Sequence, residues 1–216
     1  MTADTAGDPS TPTQQPESIS HPILVVVEGK EEVALFDALA KHMGLSDIQP
    51  TDTGGKVGLA AKLELLRRGS GFERVRAIGV VQDADRDHQG RFKSVCGALR
   101  RARLPVPTCE LEPVGEHPRV VVLIVPGEGR PGALEDICLE AVQNEPAMAC
   151  VESFFQCLKG AGVPAPRELS KAKTRVFLAS RPKPDLALGV ACAEGYWPLK
   201  GKAFDDLRKL LSLLCA

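Results

Sequence analysis

Two short stretches carry the residue types that could do chemistry. IGVVQDADRD, residues 78–87, runs apolar and then sets Asp83, Asp85 and Asp87 at every second position. Earlier, the apolar run ILVVV (Ile23–Val27) ends on Glu28-Gly29-Lys30. In extended backbone, residues two apart point the same way, so Asp83 and Asp85 share a side. Two unit charges ~4 Å apart repel by ~4 kcal/mol at an effective dielectric near 20. Crowded carboxylates answer that repulsion by taking up protons or by binding a hard cation. Mg²⁺, or Mn²⁺ in its place, suits the second answer, held by one or two carboxylates, waters and often substrate phosphates.

That chemistry requires the two stretches to meet, and the order of elements says how. Residues 23–27 read as a fully buried strand. Val33, Phe36, Ala40 and Met43 fall at helical spacing after it. A weak strand over residues 48–53 leads to Gly54-Gly55, then Leu59, Leu63 and Leu66 mark a second helix. Residues 77–81 form the next strand, and Phe92, Val95, Cys96 and Leu99 predict a helix over 89–102. A strand near 108–111 precedes the strongest one, 120–125, and Leu134, Ile137, Cys138 and Ala141 draw a fourth helix. This alternation predicts an α/β fold, a mostly parallel central sheet with helices on both faces. In such sheets the carboxyl ends of the strands form the crevice where ligands bind, and if the first and third strands are neighbours Glu28 comes beside Asp83, Asp85 and Asp87.

Helices are predicted over 152–158, 171–179 and 203–214, with Pro164 and Pro166 as breaks. The expected organisation is a disordered tail over residues 1–20, an α/β domain over 21–150, and a small helical C-terminal appendage over 151–216 packed on it. The tail is rich in Ser, Thr, Pro, Gln and Asp and lacks the basic and apolar pattern of a signal peptide.

Other readings of D-x-D fit less well. A calcium-binding EF-hand loop needs Gly and Glu where this chain has His88 and Ser94, and a helix where a strand precedes. A nucleotide-sugar glycosyltransferase does not account for Glu28-Gly29-Lys30. A haloacid-dehalogenase-like phosphatase wants Thr or Val where Asp87 stands. The plain alternative is a solvated turn whose aspartates cap a helix.

Together, VVVEGKEEVALF (residues 25–36), Gly54-Gly55 and VVQDADRDHQGRF (residues 81–92) resemble the Toprim domains in order and spacing. Those domains occur in type IA topoisomerases, bacterial primases, RNA-maturation nucleases and the overcoming-lysogenization-defect (OLD) nucleases. The likeness covers about residues 22–145 and is nearest to small stand-alone bacterial Toprim-like proteins related to the OLD group. It implies a Rossmann-like three-layer sandwich, with Glu28 as metal ligand or general acid/base and Asp83 and Asp85 as the metal-binding pair. Asp87 is a further ligand or a cap. Many members carry Asp four residues after the glutamate, where this chain has Glu32. Topoisomerases and primases need more chain than is here, so the resemblance implies a small Mg²⁺-dependent nuclease or a partner subunit. The alternatives are a conditional metal-binding module working beside a partner ATPase and, third, a glycosyltransferase.

Supporting residues each have a plain alternative. Glu135, in PGALEDICLEAV (residues 131–142), is the candidate ligand for a second metal, with Asp136 next. Acids in a first helical turn also complement the macrodipole. Gly29 and Lys30 could face a phosphate, although lysine at a helix start is more often surface. Gly54 and Gly55 could offer N–H groups to an anion. Arg167, Lys171, Lys173, Arg175, Arg181 and Lys183 could track a nucleic-acid backbone, or form a solvated face. Phe154-Phe155 and Tyr196-Trp197 should pack the appendage onto the sheet.

A net charge of −1 excludes a global field for nucleic acid or membrane, so either must use local patches. No apolar run approaches a bilayer span, and the chain reads as cytoplasmic. The seven cysteines show no C-x-x-C spacing and read mostly as small buried hydrophobes.

Overall fold

The computed structural model describes residues 18–54 and 58–216. Four parallel strands, β1 (Ile23–Val27), β2 (Ile48–Asp52), β3 (Ala77–Asp83) and β4 (Arg119–Val125), form a sheet of order β2-β1-β3-β4. All five residues of β1 are buried, as a β-branched run covered on both faces should be. The register sets Val26 beside Val80 and Asp83 beside Val125, so β3 and β4 end together at the carboxyl edge.

Alternation along the strands divides two cores. Leu24, Val26, Ile78, Val80, Val122 and Ile124 face α2 (Gly58–Arg68) and α3 (His88–Arg101). Ile23, Val25, Val27, Val121, Leu123 and Val125 face a larger layer. That layer holds α1 (Lys30–His42), α4 (Leu134–Ala141), α5 (Pro146–Gly160), α6 (Leu169–Ala179), α7 (Leu188–Ala193) and α8 (Asp205–Cys215). The protein is an α/β three-layer sandwich with a helical extension.

The segment expected as an appendage fills much of this second layer. Leu207, Leu210, Leu211 and Leu214 of α8 are buried in the core cluster that contains the sheet residues, each burial worth ~1.5–3 kcal/mol. Gly79 in β3 makes room for α8, since a Cβ there would lie 2.8 Å from Leu214 Cδ1. Gly189 lets α7 meet α1, because its Cβ would lie 2.1 Å from the Glu31 carbonyl oxygen. The expected boundary at 150/151 falls inside α5.

Other differences are local. Residues 108–111 form a turn instead of a strand. The Glu112 carboxylate accepts from the Thr108 N–H at 3.1 Å, the Thr108 hydroxyl at 2.7 Å and the Cys109 N–H at 3.2 Å. Leu111 has φ 55°, which breaks extended backbone. Of the 1–20 tail, residues 1–17 lie outside the described residues, while Ile19 is buried against the α2–α3 layer. Only Cys96, Cys138 and Cys192 are buried; Cys109, Cys150, Cys157 and Cys215 are exposed. Trp197 stacks on Phe177 at 5.0 Å, whereas Phe154 is 45% exposed.

Candidate metal centre at the carboxyl edge

β1 ends one residue before Glu28, and Thr53 fixes that exit: its N–H donates to the Val27 carbonyl and its hydroxyl to the Glu28 carbonyl, both at 3.0 Å. The Glu28 carboxylate then reaches across to β3, where Oε1 accepts from the Asp83 N–H at 3.1 Å. Asp83 in turn accepts, on Oδ1, from the N–H of Leu134 at 3.1 Å. Leu134 is the first residue of α4, and the next is Glu135. The first strand and the fourth helix therefore bring Glu28 and Glu135 within electrostatic reach of Asp83 at the end of the third strand.

Their electrostatics record the crowding. Burial, then the charges of Glu28, Glu135 and Glu32, pushes the Asp83 carboxyl up to about 8. Burial also raises Glu28, against the pull of the Asp83 N–H and the Arg91 guanidinium. Glu135 is raised by burial, opposed by its helix-start N–H and by Lys171. Glu32, the residue that departs from the Toprim pattern, adds its field to all three.

The side chains of Asp85 and Asp87 are engaged elsewhere, although the Asp85 charge also raises Glu28. Asp85 has φ 51° and is pinned on both sides by Gly132, donating its N–H at 2.9 Å and accepting at 2.8 Å. Its side chain pairs with Arg91, which also stands 4.0 Å from Glu28 Oε1. Asp87 is the N-cap of α3, accepting from the Gly90 N–H at 2.9 Å. Among the described residues no three His, Cys, Asp or Glu side chains are gathered so as to hold a metal ion as they stand. The donor chemistry of Glu28, Asp83 and Glu135 fits a hard divalent ion, since half-buried carboxylates repel one another without a cation. Asp85 fits only after its side chain leaves Arg91.

The remaining expected residues separate. Asp136 is structural: it accepts from the Ala133 N–H at 2.8 Å and from the Ser170 hydroxyl, tying α4 to α6. Lys30 is exposed at the start of α1 and lines a cavity of about 290 Å³ with Glu32, Glu135 and Lys171. Gly29 is the N-cap of that helix, without a side-chain cap. The Gly54 N–H is committed to Asp52 Oδ1 at 2.7 Å and so is not offered to an anion; Gly55 lies outside the described residues.

Four of the six C-terminal cations have acidic partners. Lys171 pairs with Glu168 at 3.1 Å, Lys173 with Glu152 at 2.6 Å, Lys183 with Glu194 at 2.7 Å, and Arg181 with Glu145. Arg167 and Lys171 reach the acid edge, lining a cavity of about 730 Å³ with Asp83, Asp85, Arg91 and Glu135.

Arg91 and the pair His88–Glu110 are absent from the sequence reading. His88 Nε2 stands 3.0 Å from Glu110 Oε1, and Glu110 Oε2 accepts from the Ile124 N–H at 2.6 Å. Arg91 lies six residues after Asp85, and its position one turn into α3 is the signal that could have found it.

The fold and this acid edge define an α/β sandwich protein with carboxylates at the carboxyl ends of its central strands. The chain belongs to the DUF3226 family, described as a protein of unknown function, which matches residues 22–216. No curated protein matches it. Among solved structures it is similar to the C-terminal region of the OLD protein of Xanthomonas campestris pv. campestris, phased with mercury. That similarity has a TM-score of 0.39 and 14% identity, and covers 89% of this chain and 85% of the other. No helix among the described residues is long and apolar enough to cross a membrane.

Proposed function

We propose that this protein is a Toprim-like, Mg²⁺-dependent nuclease, with Glu28 and Asp83 at its centre and Asp85 and Glu135 as recruited ligands. The observation that carries the reading is the half-buried Asp83, whose N–H donates to the Glu28 carboxylate at 3.1 Å and whose carboxyl is pushed up to about 8 by burial and then by the charges of Glu28, Glu135 and Glu32. Such a group is unfavourable in isolation and becomes favourable with a divalent ion. A bound Mg²⁺, or Mn²⁺, supplies Lewis acidity at a phosphoryl oxygen and stabilises the leaving oxygen. Glu28 keeps Oε2 for holding or moving a proton, its Oε1 being engaged by the Asp83 N–H. Asp83 presents Oδ2 to an ion, its Oδ1 being held by Leu134. Arg91 has the planar fork that meets phosphate oxygens.

Calorimetry with Mn²⁺ and a cleavage assay on single-stranded DNA and RNA test the reading. The parent binds Mn²⁺ and cuts; Glu28→Gln and Asp83→Asn stay folded and do not cut. Undiminished cutting by both variants overturns it.

A second reading, a conditional module that becomes competent only beside a partner ATPase, is favoured by one observation. Asp85 is paired with Arg91 rather than gathered with the other acids. On that reading the purified chain binds Mn²⁺ and cuts nothing.

A further inference from the structure

The opposite edge of the sheet carries a charge cluster of the other sign. α2 and α3 pack side by side on one face, and both run from the carboxyl edge toward the amino edge. Their last turns bring Arg67, Arg68 and Arg101, with Arg103 just beyond, around a cavity of about 320 Å³. Arg68 has an exposed partner, Glu64, at 3.7 Å. Arg67, Arg101 and Arg103 have no ion pair among the described residues, and all three are exposed. A cation in the last turn of a helix complements its macrodipole. That accounts for each helix alone, and does not account for arginines from two helices meeting at one cavity.

The two charge clusters are connected. Between them runs the α2–α3 seam, a cavity of about 700 Å³ whose floor includes Ala60, Ala61 and Ala98. Glu28 and Arg91 stand at one end of it, Glu64 and Arg101 at the other. Arg91 and Ser94 also line the cavity beside Asp83, and Arg101 and Glu64 also line the arginine cavity. Arg91, Ser94, Ala98 and Arg101 recur at helical spacing on one stripe of α3. Ten residues at 1.5 Å rise place Arg101 ~15 Å from Arg91.

We propose that this seam is the track for a phosphodiester backbone, a single-stranded nucleic acid held by Arg67, Arg101 and Arg103 and led past Arg91 to the acids. The ligand class rests on the nuclease reading; the track itself rests on the arginines and the seam. Arg91 and Arg101 lie in a single row on one stripe of α3, which follows one backbone rather than the two of a duplex. Its described lining has no aromatic side chain, so binding is through phosphates and depends strongly on salt.

The test is fluorescence anisotropy of a short labelled single-stranded DNA with the full chain in EDTA, across a salt series. Arg67→Gln/Arg101→Gln weakens binding about tenfold, and it lowers the slope of log K against log salt by ~1.4, the value for two lost phosphate contacts. Arg67→Lys/Arg101→Lys retains the slope. Circular dichroism confirms that both variants fold, as expected for exposed residues. Unchanged affinity and slope in the glutamine variant overturn the track. Displacement of the DNA by polyglutamate at equal charge concentration also overturns it, in favour of an acidic protein partner. A parent that binds through these arginines and cuts nothing with Mn²⁺ sinks the nuclease reading and leaves the track standing. A parent that cuts, and binds DNA no better than the glutamine variant, sinks the track alone.

Discussion

The acid edge and the C-terminal cations are both dense in charge, and they differ in how that charge is met. In the 151–216 segment, Lys173, Arg181 and Lys183 each face a carboxylate, and Arg181 also lies over the Phe177 ring at 4.0 Å. At the acid edge, the Asp83 carboxylate has one N–H for a partner, and the charges of Glu28, Glu135 and Glu32 outweigh that of Lys171. Glu110 makes the same point within the sheet domain. Burial raises it too, yet the Ile124 N–H donates to its Oε2, and the His88 ring stands 3.0 Å from its Oε1. Charge met by charge within the chain holds a structure together. On the proposed function, charge left to repel its own kind is available to a ligand from outside the chain.

The largest effect expected from that contrast is at Asp83. Loss of partners in the outer shell alone costs metal sites ~10–100-fold, so Asp83→Asn should weaken Mn²⁺ binding by ~100-fold or more, read by calorimetry. A variant that binds as well as the parent would place the acid edge in the same class as the met charges.

Next comes Arg91, the cation that pairs with Asp85 and stands 4.0 Å from Glu28. Arg91→Gln frees Asp85 and removes a positive charge from beside Glu28, so Mn²⁺ should bind about tenfold tighter, ~1.4 kcal/mol. Weaker binding would instead make Arg91 the residue that holds Asp85 ready for the ion.

How much of this was legible depended on sequence distance. Glu28 and Asp83 each end an apolar run, and the parallel-sheet rule brings such ends together, so their meeting could be read from the chain. The pairing of Asp85 with Arg91 could not, because a loop aspartate with positive φ aims its side chain where no spacing rule applies. The arginine cavity joins residues 67–68 to 101–103 through two separate helix ends. Residues 108–111 read as a strand ahead of 120–125, whereas the Glu112 carboxylate ties Thr108 and Cys109 into a turn. At Leu188–Ala193, α7 is too short for a helical period, and its fit against α1 depends on a glycine that periodicity ignores.

The pH dependence of stability sharpens the contrast further. The Asp83 carboxyl goes from an ordinary value of 3.8 in the unfolded chain to about 8 in the folded one. Between those values the folded chain holds a proton that the unfolded chain has lost. Stability from this group is therefore complete below ~4 and declines as pH rises to about 8. Without metal, the parent's Tm should fall between pH 5 and 8 by several degrees more than that of Asp83→Asn, given ~2–4 °C per kcal/mol for a chain of this size. Mn²⁺ competes with that proton, so its affinity for the parent rises over the same window. Parallel Tm curves for the two proteins would mean that Asp83 is ionised and satisfied in the folded state.

The smallest effect belongs to the met charges. Lys173 Nζ is 2.6 Å from Glu152 Oε1 and 2.8 Å from Oε2, joining α6 to α5 at a partly exposed position. A pair of that kind contributes ~0.2–1 kcal/mol. Lys173→Ala should lower Tm by no more than about 3 °C and change affinity for single-stranded DNA by less than about twofold, because the lysine is already occupied by glutamate. A loss comparable to that of Arg67→Gln/Arg101→Gln would mean that the ion pair opens to take phosphate. The C-terminal cations would then belong with the acid edge, and a partner within the chain would no longer separate charge that builds the fold from charge kept for a ligand.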